Sequence, residues 1–95
     1  MKVDLGAIIY DDRNKPIQSE SDNLTLGEVI GQALLAMDKD VSGDEKYRRY
    51  KLWKVVSEGG EVDLTIEDLA LIKSRIGATF VTMVVGRAFD LLERA

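Results

Sequence analysis

The sequence predicts an α+β domain, mostly α, in which an N-terminal β-hairpin packs on a bundle of about four short helices. Three observations carry that reading. The first ten residues alternate in polarity, helix-cap signatures stand at three places, and apolar residues recur at helical spacing from residue 25 onward. The whole chain of 95 residues reads as one compact domain, with the hairpin in 1–18 and the helical part in 25–93.

Val3, Leu5, Ala7 and Ile9 alternate with Lys2, Asp4, Gly6 and Ile8, the period-2 pattern of a strand with one apolar face. Asp11 to Lys15 is a polar turn cluster, Pro16 suits its exit, and Ile17 and Gln18 begin a short returning strand. A lone hairpin is marginal in water, so this one must lie on the helices that follow. Thr25-Leu26-Gly27-Glu28 is a capping box, and the helix it opens places Leu26, Val29, Ile30, Ala33, Leu34 and Met37 on one face. Ser42-Gly43-Asp44-Glu45 is a second, opening a helix that runs to about Ser57, where Gly59-Gly60 supplies the left-handed stop. Val62 and Leu64 read as a brief extended link. Thr65-Ile66-Glu67-Asp68 caps a third helix with Ile66, Leu69, Ile72 and Ile76 as its inner stripe. Gly77 is expected to break or kink the chain before a fourth helix from about Thr79 to Glu93.

The chain contains no histidine and no cysteine. That removes the side chain that titrates near neutral pH, the commonest metal ligand and the thiol nucleophile. What remains is carboxylates, lysines, hydroxyls and tyrosines. The pairs Asp11-Asp12, Asp44-Glu45 and Glu67-Asp68 each sit in a turn or a first helical turn, where acids are favoured for local reasons. Ser19 and Ser21 have no base to activate them. Asp38-Lys39-Asp40-Val41-Ser42-Gly43 imitates the start of an EF-hand loop, but Arg49 stands where the bidentate glutamate belongs. The glycines match neither a P-loop nor a dinucleotide fingerprint. The expectation is a protein that is not an enzyme and takes no metal and no cofactor.

The formal net charge is −4, which argues against a dedicated nucleic-acid or anionic-membrane binder, and no apolar run approaches the length of a membrane span. Two segments are left to carry function. In the last helix Phe80, Val81, Val84, Val85, Ala88, Phe89, Leu91 and Leu92 spread over about half the circumference, and Met83 widens the arc. Either this helix is the centre of the fold or part of the arc is an interface, for which Phe80, Met83, Val84, Arg87 and Leu91 are the candidate residues. The run Lys46 to Lys54 holds five of the thirteen basic residues and three of the six aromatics. Tyr47, Arg49 and Tyr50 are expected to anchor a protein partner at the rim. Trp53, with Leu52 and Val56, is expected to face the core. The alternative is a nucleic-acid-associated regulator using Lys46, Arg48, Arg49, Lys51 and Lys54.

The chain also resembles, in layout, small accessory proteins of tailed bacteriophages and prophages. The stretches that carry the resemblance are KVDLGAIIYDDRNKPI, LTLGEVIGQALLA, EVDLTIEDLALIKSRIG and VVGRAFDLLE, in that order. The resemblance implies a phage accessory protein acting in the cytoplasm of a bacterial host, as an assembly or chaperone factor or as an inhibitor of a host protein. The expected partner is a phage or host protein, and a homo-oligomer is expected as well.

Overall fold

The computed structural model describes residues 1–20 and 22–94, and among these the chain forms four helices and four very short strands. The strands are β1 (Lys2–Asp4), β2 (Gln18–Ser19), β3 (Asp22–Asn23) and β4 (Glu61–Asp63). The helices are α1 (Leu26–Leu35), α2 (Gly43–Ser57), α3 (Ile66–Thr79) and α4 (Thr82–Glu93). The architecture is mostly helical α+β, with an N-terminal hairpin packed on the helices.

The alternating opening stretch is divided between two sets of partners. Its first half is β1, which pairs antiparallel with β4 in the register Lys2↔Asp63, Val3↔Val62 and Asp4↔Glu61. Its second half joins the hairpin: Tyr10 bridges Pro16, and the Ile17 amide donates to the Ile9 carbonyl at 3.0 Å. The returning chain continues as β2 and turns into β3 with Gln18 opposite Asn23. Leu24 then closes the set, donating to Ile17 at 2.7 Å and accepting from Ile9 at 2.9 Å. The link around Val62 is therefore a ladder partner of the N-terminus. Alternation gives Val3, Leu5 and Ile9 to the core whichever strand lies alongside.

All three predicted caps form. Thr25, Ser42 and Thr65 accept from the amides of Glu28, Glu45 and Asp68 at 3.3, 3.1 and 3.1 Å. Only at Thr65 does the return arm close, where the Asp68 carboxylate accepts from the Thr65 amide at 3.2 Å. Glu45 faces Arg48 and Arg49 instead, which compete for its carboxylate. Gly59 and Gly60, at φ +76° and +72°, turn the chain out of α2 into β4.

The core gathers around α1, not α4. Val29, Ile30 and Ala33 are wholly buried, and α1 touches each of the other helices. Gly27 makes this possible: a Cβ there would stand 3.1 Å from the Leu5 carbonyl oxygen, so only glycine lets the strand lie so close. The last helix, expected at the centre or at an interface, is peripheral to the core. It packs on α3 and α1 through Val84, Ala88 and Leu92 and leaves Val81 and Met83 outside.

Three local expectations are corrected. Met37 is fully exposed, because α1 ends at Leu35 and Ala36 is extended (φ −61°, ψ 141°). Ile66 is 67% exposed. At about 100° per residue it lies roughly 120° round the helix from Ile72, off the stripe that Leu69, Ile72 and Ile76 define. Gly77 lies inside α3 and breaks nothing. A mid-helix glycine costs only about 1 kcal/mol, which the buried stripe on α3 outweighs. The break comes at Phe80 and Val81, both extended, where Phe80 turns its ring towards the core and α4 starts at Thr82 without a side-chain cap.

Candidate functional site

The outer face of α2 carries a ladder of aromatic rings. Tyr47, Tyr50 and Trp53 recur every third residue, so their rings climb one side of the helix and meet. The Tyr47 and Tyr50 ring centres are 6.3 Å apart with an interplanar angle of 21°, and Tyr50 and Trp53 are 6.0 Å apart at 26°. Lys51 holds its ammonium 4.9 Å above Tyr47, and Lys54 holds its own 5.6 Å from the Tyr50 ring. Both pairs have i,i+4 spacing, which places each cation over the preceding turn. The core-facing side of the helix is carried by Leu52 and Val56, as expected, with Trp53 half-buried at its border.

Beside the ladder runs a groove between α1 and α2. One cavity of about 490 Å³ is walled by Trp53, Val56, Gly31, Gln32 and Leu35. A second, of about 270 Å³, is walled by Tyr50, Leu35, Met37, Val41 and Lys46. Leu35 belongs to both walls and is 55% exposed, so one leucine side chain borders both cavities. Glycine at 31 keeps the floor low: the Trp53 ring lies 3.6 Å from where a Cβ would stand. Contiguous exposed apolar surface of this kind on a small domain marks an interaction site. Leu35 and Met37 were missed as site residues in the sequence. Met37 has the helical spacing of a core residue, but α1 stops two residues short of it.

The five interface candidates of α4 are not brought together as a free face. Val84 is buried, and Phe80 and Leu91 are half-buried against the core. Arg87 is a strap: its Nη2 donates to the Asp11 carbonyl and to Asn14 Oδ1, both at 2.9 Å, tying the hairpin turn to α4. Only Met83 stays exposed among them. Most of the wide apolar arc is taken up inside the chain, by α3 and α1 above all, and Val81 and Met83 are left exposed.

The basic residues of α2 divide. Lys46, Arg48, Lys51 and Lys54 are exposed, whereas Arg49 turns inward, its side chain 12% exposed. Arg49 faces Asp38 and Glu45, each at 3.5 Å, so it is neither a rim anchor nor a phosphate contact. Asp38 also accepts from Arg75 Nη1 at 3.1 Å, and Arg75 Nε donates to the Ala33 carbonyl near the end of α1 at 3.3 Å. Arg75 is the one buried charged residue among those described. Sequence reasoning passed over it, although it stands three residues after Ile72 on the inner stripe.

This arrangement also accounts for the loop that imitates an EF-hand. The Asp38 carboxylate is held by two guanidinium groups, and no cluster of three carboxylates with metal-ligand spacing occurs among the described residues. Asp11 sits in its turn with a carboxylate that accepts from the amides of Lys15 and Arg13, and these bonds hold its pKa below the usual 3.8. Ser19 is in β2, and Ser21 lies outside the described residues. No helix among the described residues is long and apolar enough to cross a membrane. Comparison with known proteins finds no matching family, no similar curated protein and no similar solved structure.

Proposed function

We propose that the chain is a non-catalytic protein–protein interaction module whose working surface is the groove between α1 and α2, with Tyr50 and Trp53 along one bank, Tyr47 stacked beyond Tyr50, and Leu35 and Met37 along the other. The observation that carries this reading is the exposed aromatic ladder beside an apolar groove. Aromatic residues set in well-walled pockets are the side chains that dominate binding energy at protein interfaces. Affinity would come from burying that surface at roughly 25 cal/mol per Å², with the lysines adding orientation. On the resemblance in sequence layout to small phage and prophage proteins, we propose a virion-assembly factor or a host protein as the partner.

The test is retention of partner proteins by the immobilised chain from the cells in which it is made. Tyr50→Ala and Leu35→Glu should each weaken retention, the first by about 2 kcal/mol or roughly thirtyfold if Tyr50 is a central anchor. Met83→Glu on α4 should leave retention unchanged. Loss with Met83→Glu and none with Tyr50→Ala would move the working surface to α4 and defeat the proposal.

A nucleic-acid-associated role has one observation in its favour, the interleaving of lysines with tyrosines on α2. Against it, the chain carries a formal net charge of −4. The inward turn of Arg49 removes a fifth cation from the face.

A further inference from the structure

The charge on the groove selects among occupants, given the docking surface proposed above. Lys46, Lys51 and Lys54 have no carboxylate within ion-pair distance among the described residues. Lys46 walls the smaller cavity, and Lys54 stands over Tyr50, another wall of that cavity, whereas Lys51, over Tyr47, lies farther round the helix. The acidic groups nearby are poor competitors. Asp38 is engaged by Arg49 and Arg75, and Glu45 by Arg48 and Arg49, which leaves Glu28 at the far wall of the larger cavity. Meanwhile the chain as a whole is acidic, so this face is a basic island on a negative molecule. A second copy docking the same face symmetrically would set lysine against lysine, and like charges in a drying interface repel. The face therefore calls for a partner that is apolar at two points and negative around them.

We infer that the groove between α1 and α2 binds an acidic amphipathic peptide segment of another protein, two of its apolar side chains entering the cavities on either side of Leu35 and its carboxylates meeting Lys46 and Lys54. Segments of this kind recur as helix-in-groove ligands, read by apolar anchors at one-turn spacing.

The experiment is fluorescence anisotropy on the full chain with three probes: a labelled peptide bearing leucine and phenylalanine anchors one turn apart among glutamates, its counterpart with lysines for the glutamates, and a single-stranded oligonucleotide of equal length. The acidic peptide should bind at least about tenfold tighter than the lysine peptide, and it should weaken by about tenfold in the Lys46→Glu/Lys54→Glu variant and at high salt. Both positions are exposed, and circular dichroism checks that the variant is folded. Equal binding of the two peptides, lost in Tyr50→Ala, would keep the docking surface and overturn its preference for acid. Tighter binding of the oligonucleotide would overturn it in favour of nucleic acid. A dimer in sedimentation, dissolved by Leu35→Glu, would assign the face to a second copy and overturn it too. Binding of neither peptide, with retention unaffected by Tyr50→Ala, would defeat both this inference and the proposed function.

Discussion

Removing the Asp38 carboxylate should cost more than removing the arginine it holds, and the difference follows from where each group sits. Arg75 is 7% exposed and has two partners, the Asp38 carboxylate at 3.1 Å and the Ala33 carbonyl at 3.3 Å. Asp38→Ala leaves that guanidinium buried with a single neutral acceptor. Breaking a fully buried pair costs about 3–5 kcal/mol. The Asp38 side chain is 39% exposed, so water screens part of the attraction, and a loss of about 2–3 kcal/mol is expected. Arg75→Met removes the buried charge itself. Its apolar chain replaces the arginine stem, Asp38 turns to water and Arg49, and the main loss is the unpaired Ala33 carbonyl, about 1–2 kcal/mol. For a domain of this size the aspartate variant should melt about 10–20 °C below the wild type. Urea unfolding followed by circular dichroism and Trp53 fluorescence measures both, and the double variant supplies the coupling. The two losses should fall short of additivity by about 1 kcal/mol, since Asp38→Ala no longer strands a charge once Arg75 is gone. A cost below about 0.5 kcal/mol for Asp38→Ala, or strict additivity, would refute the reasoning that this pair latches the loop after α1 to α3.

Two glycines should respond in opposite directions. Gly27→Ala drives a methyl against the Leu5 carbonyl and Cβ, at 3.1 and 3.2 Å, and should destabilise by about 1–3 kcal/mol; Gly77→Ala meets nothing within 4 Å and should stabilise α3 by about 0.5–1 kcal/mol in the same urea titration. Asp11 gives a pH test. Its pKa is depressed in the folded state, so its contribution is present above the unfolded value near 3.8 and is lost as pH falls through the folded value. Asp11→Asn should therefore lower the denaturation midpoint at neutral pH and converge with the wild type in acid; a gap that persists unchanged at about pH 2 would show that the turn is held by something other than the ionised carboxylate.

Local chemistry was readable from one dimension. Thr25, Ser42 and Thr65 each mark a helix start through a hydroxyl three residues from the amide it satisfies, and Gly59-Gly60 marks a stop through the sign of φ. Both signals are complete within four or five residues, so no distant partner can alter them. Stripe membership was less secure. Met37 and Ile66 have the right chemistry for the core and the wrong angle or element end, and a helix that stops two residues early frees a methionine. The aromatic ladder lies between these cases. Its spacing is plain in Tyr47, Tyr50 and Trp53, but the groove beside it needs α1, whose last residue lies twelve positions before Tyr47, to fold alongside.

The amino-acid sequence by itself determined the class of fold, the boundaries of the helices within a few residues and the lack of histidine and cysteine chemistry, because each of these depends on residue type and near neighbours. Only the tertiary structure decided which helix became the centre, which arginines were withdrawn into ion pairs and which apolar side chains remained outside. Those outcomes depend on what packs against what. Most of the wide arc of α4 was covered by its neighbours, and the narrower surface between α1 and α2 was left uncovered. Hydrophobic burial is blind to sequence distance, so a stripe of leucines and valines cannot announce whether its cover will come from the same chain or from another.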